Sequence, residues 1–256
     1  MALSNRRNRC ESRLPLAAAS LLLATTLLSL SGCGEFAAQG RNAEGVRLYQ
    51  EARYQDAIRE FQEATYDDPN NADGYYNLAA AYHRAGRAEH CQSDLVQAEN
   101  FYNQCLDRNP NHTECYRGLA VLLAQQGRTE EAFRLLEGWV HCQPCSADAK
   151  IELARINEEF GNRQAAAEHL VEAVALEPDN PRALAALGKI REESGDKAQA
   201  LANYQRSLTQ DNRQPELIAR VNALQGGSPA APAAVPSAPA VDLGPRMADR
   251  APATAK

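Results

Sequence analysis

The chain has 256 residues, with 27 Lys and Arg against 33 Asp and Glu, for a formal net charge of −6. That acidic balance argues against nucleic acid as a ligand, because phosphates are held by an excess of Lys and Arg. The length suffices for one sizeable domain with a hydrophobic core of its own.

The first element is a short export-type segment. Arg6, Arg7, Arg9 and Arg13 head the chain, and an apolar run rich in Leu and Ala follows from Leu14 to about Leu30. A basic head, a short apolar middle and a small-residue exit are the parts of a signal peptide. The run falls a little short of the roughly 20 residues that span a bilayer. The pair Arg6-Arg7 lacks the rest of a twin-arginine pattern and reads as ordinary charge. The tetrapeptide Leu30-Ser31-Gly32-Cys33 resembles a bacterial lipobox at all four positions. The resemblance implies that residues 1–32 are a lipoprotein signal peptide and that Cys33 becomes the lipidated first residue, with residues 33–37 as a short tether. Each buried methylene of an acyl chain adds about 0.8 kcal/mol of membrane binding. Gly34, rather than Asp, follows the cysteine, which by the same resemblance favours the outer membrane over the inner, with the protein facing the periplasm.

From residue 40 to 224 Ala, Leu, Glu, Gln and Arg dominate, all good helix formers, and no Val/Ile/Thr alternation suggests strands. Internal periodicity is the main signal. Pro69, Pro110, Pro144 and Pro178 are spaced by 41, 34 and 34 residues. Twelve residues before each stands an alanine, at Ala57, Ala98, Ala132 and Ala166, and Ala200 continues the step. Small residues recur twelve earlier at Gly45, Ala120, Ala154 and Gly188, and Gly86, Gly127, Gly161 and Gly195 are expected to form the turn inside each repeat. Two helices that cross closely need a small residue on each side. Glycine supplies the left-handed turn between them, and proline ends one repeat and starts the next. Large apolar side chains, among them Phe61, Tyr102, Leu136, Leu170 and Tyr204, are left to fill the interface.

These residues resemble the tetratricopeptide repeat (TPR), which combines small residues at the crossing, an aromatic or Leu between them and a closing Pro. The segment Gly127-Arg-Thr-Glu-Glu-Ala132 matches that family closely, as does Leu176-Glu177-Pro178. The resemblance implies an all-α, right-handed superhelical solenoid of about five helix-turn-helix repeats, at 38–71, 72–112, 113–146, 147–180 and 181–214. Repeat one has Ala52 where the turn glycine belongs, and repeat two carries a seven-residue insertion between Arg87 and about Gln97. Residues 215–224, beginning at Pro215, are expected to form a capping helix over the last apolar face. Beyond residue 225, Pro229, Pro232, Pro236 and Pro239 forbid a regular helix, so 225–256 reads as a disordered, partly extended tail.

In this family the first helix of each repeat lines a concave face that binds peptides or folded proteins. The resemblance places Tyr49, Tyr76, Asn77, His83, Arg84, Arg117, Gln125 and Arg155 there, with Ala80, Val121 and Lys189 beside them. Tyr and Arg are the residue types favoured at binding hot spots. Repeats that grip a free C-terminal carboxylate carry Lys and Asn at fixed places; here those places hold Asn42, Val46, Asn77, Glu114 and Gly118, and only Asn77 fits. Asp148, Glu152, Glu158, Glu159, Glu192 and Glu193 give the far end of the face an acidic look that suits a basic ligand or a solvated surface.

Five cysteines remain after Cys10 and Cys33 are set aside: Cys91, Cys105, Cys115, Cys142 and Cys145. In an exported protein they are candidates for disulfides, the odd number leaves one thiol over, and Cys91 is expected to staple the insertion. Cys142-Gln143-Pro144-Cys145 is a C-x-x-C, but it follows a helix, whereas redox pairs open a helix after a strand. His90, His112 and His141 stand near cysteines, yet no second pair has zinc spacing, so no metal ligand set is assigned. No catalytic triad, phosphate loop or carboxylate pair stands out, and neither a cofactor nor a small-molecule substrate is expected. The expected function is that of a lipid-anchored scaffold in the bacterial cell envelope that binds other proteins, with the membrane reached through Cys33. The alternative is redox or metal handling by the cysteine cluster.

Overall fold

The computed structural model describes residues 36–226. The signal segment, Cys33 and residues 227–256 of the tail lie outside the described residues.

Within them the chain is all helix. Helix α1 covers residues 36–50 and so begins inside the expected tether. It is followed by α2 (Tyr54–Asp67), α3 (Ala72–Ala88), α4 (Gln92–Arg108), α5 (Thr113–Gln125), α6 (Thr129–Cys142), α7 (Ala147–Glu159), α8 (Arg163–Leu176), α9 (Pro181–Glu193), α10 (Lys197–Gln210) and α11 (Pro215–Gln225). Each helix packs on its neighbours in sequence, and α3, α5, α7 and α9 also touch in series, so the pairs stack as a solenoid. The odd-numbered helices α3, α5, α7 and α9 start alike: Asn71, His112, Ser146 and Asn180 each accept a backbone N–H of the first turn with the side chain.

The turn inside each repeat is set by one residue in the left-handed region, directly before the helix-capping position. It is Gly127, Gly161 and Gly195 in repeats three to five (φ 76°, 80° and 88°), but Ala52 (φ 59°) in repeat one and His90 (φ 52°) in repeat two. Gly86, expected to be a turn glycine, lies within α3, where an added Cβ would stand 2.7 Å from Leu95 and 3.1 Å from the Cys91 carbonyl. It is small for close packing, and the turn has moved four residues on. A left-handed conformation costs a residue with a Cβ roughly 1–2 kcal/mol. His90→Gly is therefore expected to stabilise the protein by about 1 kcal/mol, read as a raised urea midpoint.

The seven extra residues of repeat two do not form a loop. Helices α3 and α4 have 17 residues each, against 13 and 14 in every later repeat, so four residues lengthen one helix and three the other. Extra turns keep the added backbone groups hydrogen-bonded, which a bulging loop would have to achieve with water.

Inside the repeats the crossing residue matches the bulk it faces. An added Cβ on Gly45 would stand 2.5 Å from the Phe61 ring, and one on Gly188 would stand 2.5 Å from the Tyr204 ring. Where the facing residue is Leu136 or Leu170, the partners are Ala120 and Ala154 in the same core clusters. In these four repeats aromatic meets glycine and leucine meets alanine, so bulk on one helix is matched by space on the other. Gly188→Ala should cost about 1–3 kcal/mol through overpacking. Adding Tyr204→Leu should recover part of that loss, so the double variant should be more stable than the sum of the singles by about 1 kcal/mol in a double-mutant cycle.

Candidate partner-binding face

The side chains of the odd-numbered helices that face one another form a ladder. Asn77 Nδ2 donates to Asn42 Oδ1 at 2.9 Å, Arg84 Nε to the Tyr49 hydroxyl at 3.2 Å, Thr113 Oγ1 to Asp148 at 3.3 Å, and Arg117 Nε to Glu152 at 2.9 Å. Each rung joins residues 35 apart, one more than the 34-residue repeat. Across the longer second repeat the rung from His83 Nε2 to Gln125 Oε1 (3.0 Å) spans 42, again one more than its 41. The stack therefore advances by one residue per repeat, and polar groups one position out of phase meet.

This ladder changes how the expected groove residues stand. Tyr76, Asn77 and His83 are buried, at 1%, 0% and 0% exposure, and so do not line an open surface. Tyr76 lies between the Tyr102 and His112 rings (centroids 6.2 and 5.3 Å), and His83 between the Tyr102 hydroxyl and Gln125. Their apolar and aromatic surface is worth more between helices than in water. Burial pushes the His83 imidazole down to about 4, so it is neutral at pH 7. Tyr49, Arg84, Arg117 and Arg155 remain partly exposed and Gln125 exposed, all five committed to rungs or ion pairs of the ladder.

The expected acidic end is neutralised from within. Glu152 is fully buried; its carboxylate accepts from Arg117 Nε at 2.9 Å, from Arg155 Nε at 3.0 Å and from Arg182. Burial would raise this carboxyl, but the Arg117 hydrogen bond and the charges of Arg117, Arg155 and Arg182 outweigh it and hold it down at about 2. Asp148 pairs with Arg182 (2.8 Å), Glu158 with Lys189, Glu159 with Arg155 (3.4 Å), Glu192 with Arg220 (3.2 Å) and Glu193 with Arg163 (3.3 Å). All six acids thus have a cation, and the motive for a basic ligand at this end is gone.

The ladder stops at α9. Rung positions held by Asn42, Asn77, Arg117 and Glu152 in earlier repeats are Ala185 and Ala186 in repeat five. Between them and the cap helix α11 lies a cavity of about 560 Å³, lined by Ala185, Ala186, Lys189, Tyr204, Leu217 and Arg220 among others. Its lining combines the small apolar Ala185 and Ala186 with Glu216 and the Lys189 and Arg220 cations, each cation with a carboxylate at its side. The Tyr204 ring forms part of the wall, and its hydroxyl donates to Glu192 at 2.8 Å. Sequence reasoning missed this place, although the alanine pair at two rung positions was its signal.

The cysteines separate into two sets. Cys105 and Cys115 form a disulfide across the junction of α4 and α5, with Cα atoms 6.7 Å apart. Cys91, expected to staple the insertion, is not bridged; its Sγ lies 3.1 Å from Ser93 Oγ at the start of α4. With no loop to staple, there is nothing for such a bridge to close. Cys142 ends α6 and Cys145 stands just before Ser146, the cap of α7; both are exposed thiols.

Among the described residues no helix is long and apolar enough to cross a membrane. No curated protein sequence matches the chain. Solved structures do. A thermophilic TPR protein of Thermus thermophilus is 26% identical, with a TM-score of 0.55 over 74% of this chain and 99% of that one. PilF of Pseudomonas aeruginosa is 15% identical, with a TM-score of 0.51 over 75% of this chain and 85% of that one. A TPR protein of Parabacteroides merdae is 12% identical, with a TM-score of 0.55 over 72% of this chain and 70% of that one. The last two are a likeness of fold alone. Three family models match in succession: one for the TPR repeat over residues 45–86, and two for the tetratricopeptide repeat over residues 90–156 and 151–215. With nearly all of residues 45–215 matched in this way and five helix pairs stacked as described, the chain belongs to the tetratricopeptide repeat proteins.

Proposed function

We propose that this protein is a scaffold that holds a protein partner at its C-terminal end, by an extended segment of that partner lying between α9 and α11, and that a lipid on Cys33 keeps it at a bacterial membrane. TPR stacks typically bind other proteins, and this protein acts by binding rather than catalysis. The observation that carries the choice of site is the alanine pair Ala185–Ala186, where the ladder is interrupted and the cavity of about 560 Å³ opens. Small side chains let a partner's backbone approach closely, Leu217 offers apolar contact, and Lys189 and Arg220 can exchange their internal carboxylates for a partner's. The expected groove residues of repeats one to four already hold partners within the stack. The envelope location rests on the lipobox resemblance. Phe36, 80% exposed and three residues from Cys33, supports it, being an apolar side chain at the chain end that would meet the bilayer. Three residues span at most about 10 Å, so the solenoid would sit close to the surface.

The test is a crosslinked capture from native membranes with the full-length protein, beside Ala185→Glu/Ala186→Trp, which fills the cavity, and Arg84→Ala, which alters the ladder. Loss of the captured partner in the first variant and its retention in the second is the expected result. Equal capture by all three would move the site elsewhere. Cys33→Ser should release the protein from the membrane fraction; a variant that stays bound would exclude the lipid anchor.

A further inference from the structure

The Cys105–Cys115 disulfide has a third donor beside it. The two sulfurs and a ring nitrogen of His112 all lie within 4.8 Å of one another, and all three residues are buried. Among the described residues no other group of His, Cys, Asp and Glu brings three donor atoms so close. His112 occupies the place that Asn71, Ser146 and Asn180 hold at the other junctions, where a side-chain oxygen suffices to cap the next helix. Its ring is held in one orientation. Nε2 is 2.8 Å from Asp73 Oδ1, to which it donates, and Nδ1 accepts the Cys115 N–H at 3.3 Å. A carboxylate on the far nitrogen of an imidazole is the usual outer support of a metal-ligating histidine. Glu114 Oε2 stands 3.3 Å from Nδ1, on a side chain about half exposed and free to turn.

The spacings suit a tetrahedral ion. Zinc bonds of about 2.3 Å to sulfur and about 2.1 Å to nitrogen or oxygen set neighbouring ligand atoms roughly 3.4–3.8 Å apart. The Nδ1 to Glu114 distance of 3.3 Å is just short of that range, and the Cα separation of 6.7 Å lies at the wide end of what a disulfide tolerates. Opening the bond lets the sulfurs part with little backbone movement.

We propose that Cys105, His112, Glu114 and Cys115 form a zinc site that fills when this disulfide is reduced. A dithiol reductant gives two electrons and two protons to the S–S bond, which becomes two thiols while the reductant becomes a disulfide. Zn²⁺ then displaces the two thiol protons, takes Nδ1 of His112 from the Cys115 N–H, and accepts the Glu114 carboxylate as its fourth ligand. The α4–α5 junction is thereby clamped by a covalent bond under oxidising conditions and by a metal under reducing ones.

The test uses the full chain carrying Cys91→Ser/Cys142→Ser/Cys145→Ser, which removes the free thiols of the described residues, reduced with a dithiol that is then removed by anaerobic gel filtration. Titration with Zn²⁺ by calorimetry should give one tight site per chain, and Co²⁺ should give the absorption of two bound thiolates. The oxidised chain should take up neither ion. His112→Asn, which keeps a capping side chain of the kind found at Asn71 and Asn180, should still form the disulfide but bind zinc at least tenfold more weakly. No uptake by the reduced chain, uptake by the oxidised chain, or unchanged affinity in His112→Asn would each overturn the proposal.

Discussion

Glu152→Ala is expected to lower the unfolding free energy by about 3 kcal/mol, because it leaves Arg117 without its carboxylate partner and Arg155 and Arg182 with only Glu159 and Asp148 beside them. For a chain of this size that corresponds to a fall in Tm of roughly 10 °C. The effect has a pH signature whose sign follows from linkage. The Glu152 carboxyl is held at about 2 in the folded protein against an ordinary value of 4.5, so its contribution is complete above about pH 4.5 and is lost as pH falls toward 2. The difference between 4.5 and about 2 corresponds to about 3 kcal/mol. Urea unfolding of wild type and Glu152→Ala should therefore differ most near neutrality and converge only as pH approaches 2. His83 acts in an earlier window in both proteins. Its folded value of about 4 lies below the ordinary 6.5, so stability is also lost as pH falls from 6.5 to 4. A difference between wild type and variant that stayed constant from pH 7 to pH 2 would mean that Glu152 is not ionised in the folded state.

Cys105→Ala/Cys115→Ala is expected to fold as wild type does, yet to be less stable by about 3 kcal/mol, the loop-closure entropy of a bridge spanning about ten residues. The fold should survive because the equivalent buried positions at the other junctions, Ala64 and Gly74, Trp139 and Ala149, and Ala173 and Ala183, each 10 residues apart, hold no bridge. Reductant, in the absence of metal, should bring wild type to the level of the variant and leave the variant unchanged. Because a repeat array couples mainly through neighbouring interfaces, amide exchange should accelerate first in α4 and α5. Wild type insensitive to reductant in urea unfolding would rule this out.

The architecture was legible in the sequence because its cause repeats. Proline, alanine and glycine at a 34-residue step are each required by a local condition: a helix that must end, a crossing that must be close, a chain that must turn. Local conditions leave local marks, so the all-helical fold and its tetratricopeptide repeats could be read without coordinates. What the tertiary structure decided is what depends on the phase between repeats. A one-residue advance per repeat sets Arg117 against Glu152 and His83 against Gln125, turning expected groove residues into internal rungs. Composition counted six carboxylates at one end, but only the packing showed a cation beside each. The same holds for the insertion, spelled as seven extra residues but realised as longer helices with His90 rather than Gly86 at the turn. It also holds for the disulfide, since pairing depends on which two small-residue positions meet across a junction. Spacing along the chain fixes helices; contact between residues 35 apart fixes what their surfaces have left to offer a partner.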